Sequence, residues 1–400
     1  MGNTNLYYYP EWMFDGFNLK QHCLLEVSPE GEIVSMFETR DALPETTHVL
    51  KGLLMPGLIN AHCHIELSHM KGFIPKHTGL PEFLKLVTTQ RQTEHAAIID
   101  AAQKAIQAMA ESGIVAVGDI CNTALLNELP RPFPLHIHHF VECFGLNEAQ
   151  SLNRFMDALT VFHQLNEKGP CSMVLHAPYS VSPSLIKLVD DFNRNKISTI
   201  HHQESEHEHA LFLEKKGAFL TLFERVKFDA EQFYFYGQRS SEAVVQWNQQ
   251  AKHLILVHNT ASTATDIEWV ENQELPTYWC LCPKANEYIE NTLPNIPLLI
   301  QSNVKIVLGT DSLASNDSLN LWEEMALIQQ HFPHIENSTL LQWATSNGAQ
   351  ALDIHNTFGS FELGKKPGIL HVPDYNATQP LPAQPHVSIL HGATSFEHSA

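Results

Sequence analysis

The residues best suited to chemistry begin at His62-Cys63-His64, which ends the apolar run starting at Leu53. In a strand, side chains alternate between faces, so His62 and His64 point the same way, roughly 6–7 Å apart along the chain. Two imidazoles on one side of a strand end can hold one metal ion. Later apolar runs repeat the design and end in metal-capable or proton-carrying residues: Asp119, Glu142, His176, His201 with His202 and Glu204, His258, Lys284 with Asn286, and Asp311. In a chain with 25 histidines, any one of these is explained by chance. Histidine at the ends of four separate runs is not. His201 competes with its neighbour His202, which faces the other way; the spacing to Glu204 favours His201.

Eight apolar runs precede those residues: LLMPGLINAH, GIVAVGDI, LHIHHFVECFG, CSMVLHAPYS, ISTIHHQES, LILVHNT, TYWCLCPKAN and VKIVLGTDS. Between them lie helix-like stretches. Thr93 to Glu111 carries apolar residues at helical spacing and stops at Ser112-Gly113. Ser151 to Leu165, Ser182 to Asn193 (with Ser182-Pro183 as cap and first turn) and Leu319 to Phe332 read similarly. Near-continuous apolar strands alternating with helices predict an α/β protein with a covered parallel sheet. Eight units predict a closed (β/α)8 TIM barrel over residues 53–357, with the active site at the carboxyl ends of its strands. A doubly wound open sheet is the alternative, and no GxGxxG follows the first strand to support it. Short strand-like runs at 1–52 and 358–400 predict a small β-sandwich domain built from both ends of the chain. The polar stretch Glu204 to His209 reads as the solvated start of a helix.

The bulk composition narrows the function. The 400 residues carry 24 Lys plus Arg against 44 Asp plus Glu, a net charge of −20. Such a chain does not bind nucleic acid or anionic membranes through bulk charge, which leaves a small-molecule substrate as the expected partner. No run of about 18 apolar residues is present to span a membrane, and the first residues lack a signal-peptide pattern. Seven cysteines, an odd number lying mostly in apolar runs, suit reduced thiols of a cytoplasmic protein. No GxSxG marks a serine hydrolase. His64-Ile65-Glu66 has the HxE of zinc cytidine deaminases but lacks the PCxxC that would complete their ligand set.

The segments PGLINAHCH, HAPYSVS, HHQES, LVHNT, CPKAN and GTDSLASN resemble, in order, those of the amidohydrolase superfamily, from about residue 50 to 370. More narrowly they resemble the deaminase and chlorohydrolase branch that includes adenosylhomocysteine/methylthioadenosine deaminases. His64-Ile65-Glu66-Leu67-Ser68 is also similar to a short stretch of aminofutalosine deaminases. The resemblance implies that His62, His64, His201 and Asp311 bind the metal, and that Asp311 also takes a proton from the attacking water. It implies that Glu204 shuttles protons to the substrate, that His258 sits beside the nucleophile and the developing charge, and that His176 contacts the substrate ring. Glu66, Glu142 and Asn286 are candidate substrate contacts, each with a loop or structural role as the competing reading. No lysine stands at the fourth strand end, VLHAPYS, where binuclear relatives carry their bridging ligand, so one divalent metal is expected: zinc first, with iron(II) and manganese(II) as alternatives. A homodimer is implied at family level. The chain after HIELSH departs from the long loop of the adenosylhomocysteine enzymes, so their substrate contacts do not transfer.

Three imidazoles and a carboxylate leave a coordination position for water and lower its pKa from about 15.7 toward 7. Deamination then needs a proton on the ring nitrogen and later on the leaving amine, which one nearby carboxyl group can carry. The expected activity is therefore deamination of an adenine-nucleoside-like or related N-heterocyclic small molecule. The alternative is hydrolysis of another C–N or a C–Cl bond of a heterocycle on the same scaffold.

Overall fold

The computed structural model describes residues 5–130, 133 and 135–392, so the outermost parts of the expected terminal domain, 1–4 and 393–400, lie outside the described residues. Five strands come first: β1 (Leu6–Phe14), β2 (Leu19–Lys20), β3 (Cys23–Val27), β4 (Ile33–Glu38) and β5 (Thr47–Pro56). Eight follow in the region of alternating strands and helices: β6 (Leu58–Cys63), β7 (Ile114–Cys121), β8 (His136–Cys143), β9 (Cys171–Leu175), β10 (Ile197–His202), β11 (His253–His258), β12 (Thr277–Leu281) and β13 (Lys305–Leu308). The last two are β14 (Ile369–Val372) and β15 (Ser388–His391).

The eight central strands form two four-stranded parallel sheets, β6-β7-β8-β9 and β10-β11-β12-β13. They are buried almost throughout, as strands covered on both faces must be. Hydrogen bonds join the two sheets at their carboxyl ends. On one side His201 N donates to His176 O (3.0 Å); on the other Thr310 N donates to His62 O (3.0 Å), with a parallel bridge between Cys63 and Asp311.

Strands from both chain ends do pair, in one seven-stranded sheet ordered β15-β14-β5-β1-β3-β4 with β2 beside β1. The run LLMPGLINAH, read as a single strand, is cut at Gly57: its first part belongs to this terminal sheet and its second to the central strands. The reason is local. Gly57 N donates to Pro367 O and Gly368 O (3.2 and 3.3 Å), and a Cβ at this position would lie 2.3 Å from Val115 Cγ1. β5 therefore runs through the expected domain boundary at 52/53.

The anticipated helices are present as His95–Glu111, Ser151–Asn166, Pro183–Phe192 and Leu321–His331. Ser182 Oγ accepts from Leu185 N as the cap of the third. Glu204 to His209 does lead into a helix, Glu206–Glu214, but Glu208 is fully buried rather than solvated. Helices Leu80–Gln90 and Ala218–Arg225, which the sequence reading did not single out, lie over the central strands' carboxyl ends and form the mouth of a cavity there. Among the described residues no helix is long and apolar enough to cross a membrane, and all seven cysteines are buried and unpaired.

Candidate metal centre and active site

β6, β10, β11 and β13 bring their ends to one point. His62 Nε2 lies 3.6 Å and His64 Nε2 3.4 Å from Asp311 Oδ1. His64 Nε2 and His201 Nε2 are 3.3 Å apart. One donor atom each from His62, His201, His258 and Asp311 falls within a mutual 4.8 Å. The chain reverses sharply to achieve this. Gln203, His258, Asn259 and Asp311 all have positive φ (45°, 77°, 58° and 56°), a strained conformation that proteins concentrate at functional sites. As expected, His202 faces away, its Nδ1 paired with Asn259 Oδ1 at 2.9 Å.

Outer hydrogen bonds orient the donors. His201 Nδ1 donates to His176 O (2.8 Å), which leaves Nε2 free toward the centre. Ser315 Oγ donates to Asp311 Oδ2, and Thr310 N donates to Asn60 Oδ1 (3.2 Å). Asp119 Oδ1 accepts from Ile65 N (3.0 Å) and so pins the turn directly after His64. Buried polar atoms nearly always have a partner. Yet both ring nitrogens of the fully buried His62, and Nε2 of His258, have no hydrogen-bond partner among the described residues. A divalent cation would supply that missing partner. The imidazole and carboxylate donor set, with its outer hydrogen bonds, fits one.

The electrostatics agree. Burial first, with the neighbouring imidazoles adding to it, lowers His64 and His258 to about 3 and His176 to about 4, so these rings stay neutral at pH 7. Burial pushes the Asp311 carboxyl upward, but the three imidazoles of His62, His64 and His258 that face it outweigh that and hold it below the usual carboxylate range. Glu204 is driven the other way. Burial, then the charge of Asp311, raises it well above the usual carboxylate range. Its Oε1 lies 3.6 Å from His258 Nε2. Burial also raises Glu142 to about 7, against a hydrogen bond from Asn122 Nδ2 (3.1 Å).

These groups floor a cavity of about 630 Å³. His64, His201, Glu204, His258, Asp311, His176 and Glu142 line it. Two of the candidate substrate contacts do not. Glu66 was expected at the substrate; instead its Oε1 accepts from Arg91 Nη2 (3.0 Å) and its Oε2 from Asn122 N, Thr123 N and Thr123 Oγ1 (3.1, 3.2 and 2.9 Å). That carboxylate anchors the 122–123 turn. Asn286 is fully buried behind His258, with Nδ2 3.1 Å from His258 Nδ1, so it orients the imidazole rather than lining the cavity. Lys284 is also turned away, paired with Glu323. The sequence reading missed the walls. Phe83, Leu84 and Val87 come from helix Leu80–Gln90, and Leu222, Phe223 and Val226 from the Ala218–Arg225 segment. Their only sequence signal is an apolar stripe at helical spacing, which ordinary core helices share.

Comparison with known proteins extends this picture. Residues 53–388 match the model of the amidohydrolase family. An adenosine deaminase of Helicobacter pylori is 26% identical over 325 residues, covering 78% of this chain and 77% of the relative. A 5-methylthioadenosine/S-adenosylhomocysteine deaminase of Halalkalibacterium halodurans is 26% identical over 390 residues, covering 90% and 82%. Among solved structures, Helicobacter pylori aminofutalosine deaminase in complex with methylthio-coformycin superposes with a TM-score of 0.78 at 22% identity, over 94% of this chain and 93% of that one. The family match starts just before the first histidine strand and runs into the last strand of the terminal sheet, enclosing every residue of the centre: the chain belongs to the amidohydrolase family.

Proposed function

We propose that this chain is a metal-dependent aminohydrolase that deaminates an adenine-nucleoside-like or related N-heterocyclic small molecule. The observation that carries the reading is a buried Glu204, its Oε1 3.6 Å from His258 Nε2, beside a donor set with unsatisfied imidazole nitrogens, both opening onto one cavity. The deaminase names of the relatives support the same class of reaction. His62, His64, His201 and Asp311 hold one divalent cation, with zinc as the first choice and iron(II) or manganese(II) as alternatives. When bound, that cation lowers the pKa of water and so supplies a nucleophile at neutral pH.

The chain's own residues do the rest. Asp311 accepts a proton from the attacking water at its carboxylate. Glu204 gives its proton to the ring nitrogen, which makes the adjacent carbon electrophilic, then takes the proton of the newly added hydroxyl and delivers it to the departing amine, while the proton held by Asp311 returns to Glu204 to reset the pair. His258 faces the developing negative charge through Nε2. Proton transfer of this kind contributes roughly 10²–10⁴ in rate. His176 and Glu142 form the polar side of the cavity and orient the heterocycle. In this reading the two parallel sheets are the halves of one (β/α)8 barrel over 53–357, a division supported by the hydrogen bonds at both seams. The strands from both chain ends, with β5 carrying the first segment on to Pro56, form the small second domain as one sheet. The seven buried thiols support a reducing, cytoplasmic setting.

The test is a deamination screen with purified, metal-analysed protein. Ammonia release and ultraviolet change are followed on adenosine, methylthioadenosine, adenosylhomocysteine, aminofutalosine, guanine and cytosine. Ammonia from one of these, lost in Glu204→Gln, supports the reading. A metal-loaded protein silent on the whole panel but active on a chlorinated heterocycle overturns it.

A further inference from the structure

The residue between metal ligand and proton carrier is itself held with unusual care. Gln203 is fully buried and left-handed, at φ 45°. That conformation costs a non-glycine residue on the order of 1–3 kcal/mol and persists only where the surroundings impose it. Here they do. Ala261 N donates to Gln203 O (2.8 Å), Ser262 Oγ to Gln203 Oε1 (2.6 Å), and Gln203 Nε2 to Ser240 Oγ (3.4 Å). The remaining group, Gln203 N–H, points at the Glu208 carboxylate, 3.1 Å from each oxygen.

Glu208 belongs to the first turn of helix Glu206–Glu214 and has no exposed surface. Ser205-Glu206-His207-Glu208 has the form of a capping box, in which the glutamate would return to the backbone N–H of Ser205. It reaches further back instead, to Gln203, two residues before the cap. A buried carboxylate placed this way does more than end a helix. It holds the N–H of the 202–203 peptide, directly before the residue whose Oε1 lies 3.6 Å from His258 Nε2.

We propose that Glu208 is a positioning residue for the reaction: its carboxylate locks the Gln203 turn and thereby sets the Glu204–His258 distance. The proposal rests on Glu204 being the proton carrier. Glu208 does not line the cavity and touches no substrate. Misplacing a reacting group by about 1 Å costs roughly 100-fold in rate, which sets the size of the expected effect.

The experiment is a double-mutant cycle between Glu204→Gln and Glu208→Ala, with Glu208→Asp as a second short variant and Glu208→Gln as the conservative one. In the otherwise native enzyme, Glu208→Ala and Glu208→Asp are expected to lower kcat roughly 100-fold with KM and bound metal unchanged. Glu208→Gln, whose carbonyl oxygen still reaches Gln203 N–H, restores turnover to within about threefold of native. In the Glu204→Gln background, Glu208→Ala changes the residual rate less than about twofold, because both act on one step. Amide hydrogen exchange without substrate gives an independent reading: the Gln203 N–H loses protection in Glu208→Ala while β10 keeps its own. Equal losses in both backgrounds, or a Gln203 amide still protected in Glu208→Ala, overturn the role of Glu208 and leave Glu204 in place. Native turnover in Glu204→Gln removes the proton carrier itself, and the proposal with it.

Discussion

The floor and the walls of the cavity are built on different principles. The floor comes from strand ends. His62, Glu204, His258 and Asp311 are all but inaccessible, set at sharp backbone turns, with His258 and Asp311 oriented by hydrogen bonds from Asn286 and Ser315 and the neighbouring Thr310 N donating to Asn60. The walls come from two helices. Leu80–Gln90 and Ala218–Arg225 present Phe83, Val87 and Phe223 inward, and meet outside through a partly exposed Arg225–Glu82 pair at 3.4 Å. A strand end held in a hydrogen-bonded sheet keeps a donor atom within the few tenths of an ångström that metal ligation and proton transfer need. A surface helix held mainly by apolar contacts, with polar ties such as the Arg225–Glu82 pair at its outer face, tolerates substitution and movement better than a strand end. The floor is thus suited to set the reaction, and the walls to choose what is admitted to it.

Substitutions at the two levels should differ in kind as well as size. His64→Ala, or removal of the cation with a chelator, is expected to abolish turnover; metal analysis should find well under one ion per chain, and native stoichiometry in the variant would remove His64 from the ligand set. Glu204→Gln should keep its metal and lose roughly 10²–10⁴ in kcat; a loss confined to KM would contradict its role.

The next effect is on stability rather than turnover. Burial raises Glu324 to about 8, against hydrogen bonds from Lys284 N (2.8 Å) and Asn316 Nδ2 (2.8 Å), and Asn316 in turn holds Thr310 O beside Asp311. A carboxyl whose folded pKa exceeds its unfolded one binds more protons when folded, so its contribution is complete below the unfolded value near 4.5 and is lost as pH rises to about 8. Denaturant midpoints should therefore fall between pH 5 and pH 9, with Glu324 contributing on the order of 4 kcal/mol, and Glu324→Gln should flatten that slope. An unchanged slope would dismiss Glu324 as its source.

At the walls, Phe223→Ala should raise KM about 5- to 30-fold, the equivalent of roughly 1–2 kcal/mol of lost apolar contact, with metal content unaltered. A loss of kcat at constant KM would place this wall in the chemistry after all. Smallest of all, Arg225→Ala should shift stability by less than about 0.5 kcal/mol, as partly exposed pairs do; thermal melts at low and high salt would detect anything larger.

The same division explains what could be read before any coordinates. All eight central strands were visible as apolar runs, and the floor residues were visible because a polar side chain ending an apolar strand is rare and conspicuous. His201 could be separated from His202 by alternation together with its spacing to Glu204. Glu66 misled because its partners Asn122 and Thr123 lie more than fifty residues away. No local pattern signals that its carboxylate is already satisfied. The break at Gly57 was equally hidden, since it depends on Val115 and Pro367 crowding the backbone.

Chemical type and strand alternation along the chain were enough to specify the parallel-strand framework and the polar residues that end its strands, because each is encoded within a few consecutive residues. Which groups face the cavity, which carboxylates are neutral, and which helices close over the mouth depended on packing between distant segments. Burial and the company of other charges create those properties, and both come into being when the chain folds.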